Sequence, residues 1–167
     1  MSCAIFYASS TGNTKHVATL IGQKLRIANI FDISDDGVQK INEFDSVIIG
    51  ASTWGEGDLQ DDWESVWSDF SSLDFSGKTV ALFGLGDQEQ YCDNFLDAMG
   101  MIYEVVIKNG GSVTGAWPAA GYCHDNSRAQ IEGYFVGLAI DEDNEPDLTA
   151  DRIDRWCLNI KGNLNLE

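Results

Sequence analysis

The chain has 167 residues, 44% hydrophobic and 22% charged, with 27 acidic against 10 basic side chains and a formal net charge of −17. That length fits one domain, residues 1–167, able to bury roughly 70% of its unfolded surface without disulfide or metal support. The acidic excess excludes a nucleic-acid binder, which needs a basic face, and leaves solubility or steering towards a basic partner as its uses.

No apolar run approaches the ~20 residues of a membrane span. The opening Met1-Ser2-Cys3-Ala4 carries no basic segment of the secretory type. Cys3, Cys92, Cys123 and Cys157 form no Cys-x-x-Cys pair, and with His16 and His124 they give no zinc or iron–sulfur spacing. The expectation is a metal-free, cytoplasmic monomer with reduced thiols.

Strand and helix patterns then alternate. Cys3 to Ala8 is a short apolar strand run. Asn13 to Arg26 carries Val17, Leu20, Ile21 and Leu25 at helical spacing. Ile30 to Ile33 reads as a weak strand, and Ser46 to Ala51 as a β-branched strand buried on both faces. Asp61 to Phe70 repeats Trp63, Val66, Trp67 and Phe70, a helical stripe. Thr79 to Gly84 is another buried strand, and Tyr91 to Asn109 a long amphipathic helix that Tyr91 begins. Ser112 to Trp117 and Tyr134 to Ile140 read as strand, separated by Pro118 to Gly133 with no helix between. That segment, about 118–133, is expected to interrupt the last strand. Thr149 to Ile160 closes as a helix with Thr149 as N-cap and Ile153, Trp156, Cys157 and Ile160 as its stripe.

The alternation predicts an α/β domain: a parallel sheet of about five strands with helices on both faces. In such sheets ligands sit beyond the carboxyl ends of the strands. Three loops leave those ends: Ser9 to Thr14, Ser52 to Asp58, and Leu85 to Tyr91.

The first loop, Ser9-Ser10-Thr11-Gly12-Asn13-Thr14, opens a helix with four hydroxyls, an amide and no lysine. A neutral cradle at a helix N-terminus suits a single phosphate. It lacks the Gly-x-x-x-x-Gly-Lys of a triphosphate site. The second, Ser52-Thr53-Trp54-Gly55-Glu56-Gly57-Asp58, puts a tryptophan in what reads as a loop. The third runs from Leu85 to Tyr91; Gly84 and Gly86 give the first two glycines of a dinucleotide fingerprint, the third glycine is missing, and Tyr91 supplies a second aromatic. Each aromatic taken alone could merely cap a core edge. Together Trp54 and Tyr91 can sandwich a flat heterocycle, with stacking worth roughly 1–3 kcal/mol per face.

Ser10-Thr11-Gly12-Asn13-Thr14, Thr53-Trp54-Gly55, Gly86-Asp87-Gln88 with Tyr91, and the run Phe135 to Asp143 occur in the order found in flavodoxins. Over its whole length the chain resembles that family, and its long-chain subgroup in the interrupted last strand. The resemblance implies a doubly wound five-stranded sheet of order 2-1-3-4-5. It implies bound FMN, no metal, and a low-potential one-electron shuttle rather than an enzyme. Ser9 to Thr14 match the phosphate loop, and Trp54 and Tyr91 the two flanking aromatics, with Ser52, Thr53, Gly55, Leu85, Gly86 and Asp87 beside them. Asn94 and Asp97 match ring-side polar positions, and Asp143 a more distant acidic one. Lys15 departs from the family, many members of which carry glutamate there.

The implied cycle runs mainly between semiquinone and hydroquinone. Gly55 tolerates positive φ, so the Gly55–Glu56 carbonyl is expected to turn towards the flavin N5 when that atom gains a proton. Asp58, Asp61, Asp62, Glu64, Asp87, Glu89 and Asp93 are expected to form an acidic rim. Its partners would be redox proteins with basic docking patches, such as a flavodoxin/ferredoxin-NADP reductase. Two rival readings are an NAD(P)H-dependent quinone or nitro reductase of the same fold, and a phospho-receiver domain. The latter would want an aspartate where the third strand ends in Gly50-Ala51-Ser52.

Overall fold

A computed structural model describes residues 2–166. The chain runs β1 (Cys3–Tyr7), α1 (Asn13–Leu25), β2 (Ile30–Asp32), a helical turn α2 (Ile33–Asp36), a 3-10 turn (Gln39–Glu43) and β3 (Ser46–Trp54). It continues through β4 (Asp58–Leu59), α3 (Asp61–Ser71), β5 (Thr79–Leu85), α4 (Asp97–Lys108) and β6 (Ser112–Thr114). The last third contains β7 (Trp117–Pro118), β8 (Gln130–Ile131), β9 (Tyr134–Phe135), β10 (Leu138–Ile140) and α5 (Thr149–Ile160).

The main sheet is ordered β2-β1-β3-β5-β10, all parallel, which is the expected 2-1-3-4-5. Successive residues of a strand face opposite sides, so a strand buried throughout supplies two core layers. Val47 and Ile49 pack with Trp63, Phe70 and Ile102 from α3 and α4 on one face. Ile48, between them, packs with Val17, Ile21, Ile153 and Trp156 from α1 and α5 on the other. Burying each such side chain contributes about 1.5–3 kcal/mol, so the layers dominate stability.

The fifth strand is split. β6 pairs with Thr79–Ala81 of β5, and β10 pairs with Phe83–Leu85 further along the same strand. The excursion between them is wider than 118–133. The runs 112–117 and 134–140 are not continuous strands, because Trp117–Pro118 and Tyr134–Phe135 leave the main sheet. Tyr134–Phe135 pairs with Trp117–Pro118 on one side and with Gln130–Ile131 on the other, in a small antiparallel sheet of order β7-β9-β8. A two-residue Trp117↔Phe135 and Pro118↔Tyr134 ladder thus competes locally with extension of the parallel sheet.

Other boundaries also differ from the sequence pattern. Helix α4 starts at Asp97, not Tyr91. The backbone at 92–95 is engaged by the excursion instead: Asp125 and Asn126 N–H donate to Cys92 O, and Phe95 N–H donates to Asn126 O. Ile33 belongs to a helical turn rather than a strand, since Asp32 accepts from Ser34 N–H at 2.9 Å and caps that turn. Thr149 is the first residue of α5, not its N-cap, and its hydroxyl donates to Glu142.

Candidate functional site

The chain order reverses between β1 and β3, and the loops after β1, β3, β5 and β10 converge there. They enclose a cleft of about 370 Å³, within the usual range for a small-ligand site.

After β1 the chain turns through Ser9–Gly12 into α1. Gly12 N–H donates to Ser9 Oγ at 3.0 Å, and Gly12 O receives His16 N–H at 3.0 Å. Gly12 has φ +95°, and a Cβ there would meet nothing within 4 Å, so conformation rather than space demands glycine. No side chain caps α1, and its first turn holds no acid. The positive end of the helix is therefore left free for an anion. Thr11, Asn13 and Thr14 line the cleft beside it.

Trp54 stands at the end of β3, not in a loop. It pairs with Asp58 across a tight hairpin whose three linking residues are Gly55, Glu56 and Gly57. Gly55 and Gly57 have φ +51° and +94°. The indole is 42% exposed, yet its N–H donates to Ser52 Oγ at 2.9 Å. Ser52, Thr53 and Gly55 line the cleft with it. Thr53 Oγ1 also accepts from Ala98 N–H at 3.0 Å, which ties this wall to the start of α4.

The opposite side is formed by Leu85, Gly86, Asp87 and Tyr91. Burial pushes the Asp87 carboxyl up, but hydrogen bonds from Gln90 N–H, Asn144 Nδ2 and Glu89 N–H outweigh it and hold it below the ordinary value. Asp143 lies on the same cleft and is raised, by burial first and then by Asp87, Asp141 and Glu142. Behind both sits Asp141, fully buried. Its two oxygens accept from Gln88 N–H and Nε2, from Asn144 N–H and Nδ2, and from Asp143 N–H, at 2.7–3.2 Å. Five donors compensate a desolvated carboxyl and lock the β5 and β10 loops together.

The structure thus brings most of the expected site residues to one cleft. Ser9 supports the first loop from within. Asn94 and Asp97 do not line the cleft. Asn94 Nδ2 donates to Asp97 Oδ2 at 3.1 Å, and Asp97 Oδ1 accepts from Arg128 N–H at 2.7 Å. They buttress the hairpin turn at Gly57 and anchor the excursion. Gln90 and Glu142 also line the cleft; each lies inside a quoted motif, Gln90 in the loop Leu85 to Tyr91 and Glu142 in the run Phe135 to Asp143, but residue type alone does not mark either as a site residue. Gln60 lies outside every motif and Gln88 inside one, and both are buried amides, a state that polarity patterns do not reveal.

An open parallel sheet with a hydroxyl-rich helix start beside an aromatic-walled slot defines a binding domain for a flat ring carrying an anionic tail. Residues 5–156 match the family model for flavodoxin. The chain is 47% identical over 160 residues to a flavodoxin of Picosynechococcus sp., covering 94% of each chain. It is 40% identical over 166 residues to flavodoxin 1 of Escherichia coli, covering 98% of this chain and 94% of that one. Its structure superposes with a TM-score of 0.91 on a flavodoxin of Fusobacterium nucleatum bound to flavin mononucleotide, 32% identical over 98% of both chains. The chain belongs to the flavodoxin family. Its strand order is a standing example of the switch-point rule, with the cleft between β1 and β3.

Proposed function

We propose that this protein is a low-potential one-electron carrier, not an enzyme, which holds FMN non-covalently and shuttles electrons between redox partner proteins in the cytoplasm as a monomer. One observation carries the reading: an uncapped helix start with neutral hydroxyls opens onto the same cleft as two aromatics, Trp54 and Tyr91. The residues fit FMN. Thr11, Asn13, Thr14 and the α1 N-terminus would hold the phosphate by hydrogen bonds and helix dipole. Trp54 and Tyr91 would wall the ring.

When bound, FMN supplies one-electron chemistry, working mainly between its semiquinone and hydroquinone. The protein biases that chemistry by charge. Asp87, Glu142 and Asp143 line the cleft, and Asp143 is held protonated more readily than usual by burial and its acidic neighbours. Negative charge added in the slot meets the same field, which favours a low potential. Aromatic walls also leave little room for a nicotinamide, against the reductase reading.

The partner side has a physical basis too. Outside Trp54 a second groove of about 720 Å³ is lined by Leu59 and Met101 and by the carboxylates of Asp58, Asp61 and Glu64. An apolar floor with an acidic edge suits a redox protein with a basic docking patch, for example a flavodoxin/ferredoxin-NADP reductase.

The experiment is an absorption spectrum of the purified protein supplied with FMN, then reductive titration without oxygen. Stoichiometric flavin and two well-separated one-electron steps are expected. A protein that takes up no FMN, or whose flavin accepts both electrons in one step, rejects the proposal.

A further inference from the structure

Gln60 is the residue between the ring-wall hairpin and α3, and it is 2% exposed. Its Oε1 accepts from the backbone N–H of Asp62 at 3.0 Å and of Trp63 at 3.3 Å, capping α3. Two N–H donors on one atom identify that atom as the oxygen. The amide nitrogen must then face the other way, and it donates to Ser10 Oγ at 2.9 Å and to Asp62 Oδ2 at 2.9 Å. Ser10 lies in the loop after β1, fifty residues away in sequence, and lines the cleft.

A serine hydroxyl has one proton and two lone pairs. Ser10 accepts from an amide that can only donate, so its own proton is free to point elsewhere. We infer that Gln60 is a positioning residue for the phosphate loop: it sets the polarity of the Ser10 hydroxyl so that the proton is presented to an anionic oxygen in the cleft. The inference rests on the reading of this cleft as an FMN site, and it adds a residue outside the loop that makes the site phosphate-selective. The α3 cap and the phosphate loop are joined through one buried amide, so the ring wall and the cradle are held in register.

Gln60→Glu separates this role from a structural one. A glutamate oxygen still accepts from Asp62 and Trp63 N–H, and its charge suits a helix N-terminus. Asp62, half-exposed, turns to water. The second glutamate oxygen, however, accepts from Ser10 and draws its proton inward. Affinities for FMN and for riboflavin, which lacks the phosphate, are measured by flavin fluorescence quenching on the flavin-free full chain at about pH 8, where the new carboxyl is ionised.

In the unaltered protein FMN should bind far more tightly than riboflavin. Equal affinities would overturn the FMN reading itself. In Gln60→Glu, FMN affinity should fall about ten- to a hundredfold, the scale of one charge-assisted hydrogen bond, while riboflavin affinity stays within about twofold. A parallel loss of both would overturn the inference by making Gln60 merely structural. In a Ser10→Ala background the same substitution should cost less than about half as much on a logarithmic scale. An undiminished cost there would mean the new charge acts directly on the phosphate, and would also overturn it.

Discussion

Trp54 donates its indole N–H to Ser52, two residues back on the same strand, at 2.9 Å. Residues i and i+2 share a face of a strand. The bond therefore pins a half-exposed indole against its own strand and turns it into a fixed wall. Ser52→Ala removes the acceptor and frees the ring. The expected result is lower fluorescence anisotropy of Trp54 and an FMN affinity reduced about two- to tenfold, from a bond worth about 0.5–1.5 kcal/mol. Unchanged anisotropy would mean packing alone holds the indole.

Trp54→Ala and Tyr91→Ala remove one ring wall each. Stacking of about 1–3 kcal/mol predicts a loss of roughly five- to 150-fold in affinity for each. Riboflavin should lose affinity by the same factor as FMN, because the ring and not the phosphate is affected. Calorimetric or fluorescence titration of both flavins checks this.

The two hairpin glycines should respond differently. At Gly57 a Cβ would lie 2.8 Å from Asp97 Oδ2, and Asp97 is itself held by Asn94 and the Arg128 backbone. At Gly55 a Cβ would meet only Asp58 Oδ2, at an ordinary 3.4 Å. Gly57→Ala should therefore cost about 1–3 kcal/mol in urea unfolding, and Gly55→Ala clearly less. The phenotype of Gly55→Ala is redox instead. A smaller maximum of the one-electron-reduced form is expected, with the first potential lower by roughly 20–65 mV if one peptide hydrogen bond is lost.

Asp87 has a depressed carboxyl despite partial burial, because three donors prefer its ionised form. The sign follows from that direction. Its contribution to stability is complete above the ordinary carboxylate pKa, and it declines as pH falls through the lower folded value. Asp87→Asn should be less stable than the parent at about pH 7, and the gap should close as pH falls below about 4. Urea midpoints of the two proteins across that range test it. A gap that widened in acid would contradict the assignment.

Asp61 and Glu64 edge the groove outside Trp54 and are exposed. Asp61→Asn with Glu64→Gln should slow association with a basic redox partner at low salt. Raising the ionic strength should slow the parent more than the double variant, since exposed charges are screened over about 10 Å at 0.1 M salt. Stopped-flow association rates at several salt concentrations decide it. Equal slopes would place the steering charges elsewhere.

Local patterns carried much of this molecule. Ser46–Ala51 reads as a two-sided buried strand because every residue is apolar or small, and all six are buried. The hydroxyl loop before α1 is legible because capping and anion binding draw on the same short-range chemistry. Tyr91 lines the cleft, but it does not begin a helix. Its region reads as helix by periodicity, but the backbone of 92–95 is claimed by residues thirty positions later. Likewise 134–140 has one continuous strand pattern, but two different sheets compete for it.

By itself, then, the sequence determined the alternation of strands and helices, the three loops beyond the strand ends and the chemistry they carry, since these depend on neighbours within a few residues. Only the tertiary structure decided that Trp54 is a strand end braced by Ser52, that Asp97 supports the turn at Gly57 and holds the Arg128 backbone, that Asp141 and Gln88 lock two loops together, and that Gln60 reaches Ser10. The Gln88–Asp141 and Gln60–Ser10 bonds join residues about fifty positions apart and Asp97 meets Arg128 thirty-one positions on, and bonds of that range leave no period in the chain; the Trp54–Ser52 bond is local, but it forms only because β3 runs on to Trp54 and pairs with β4.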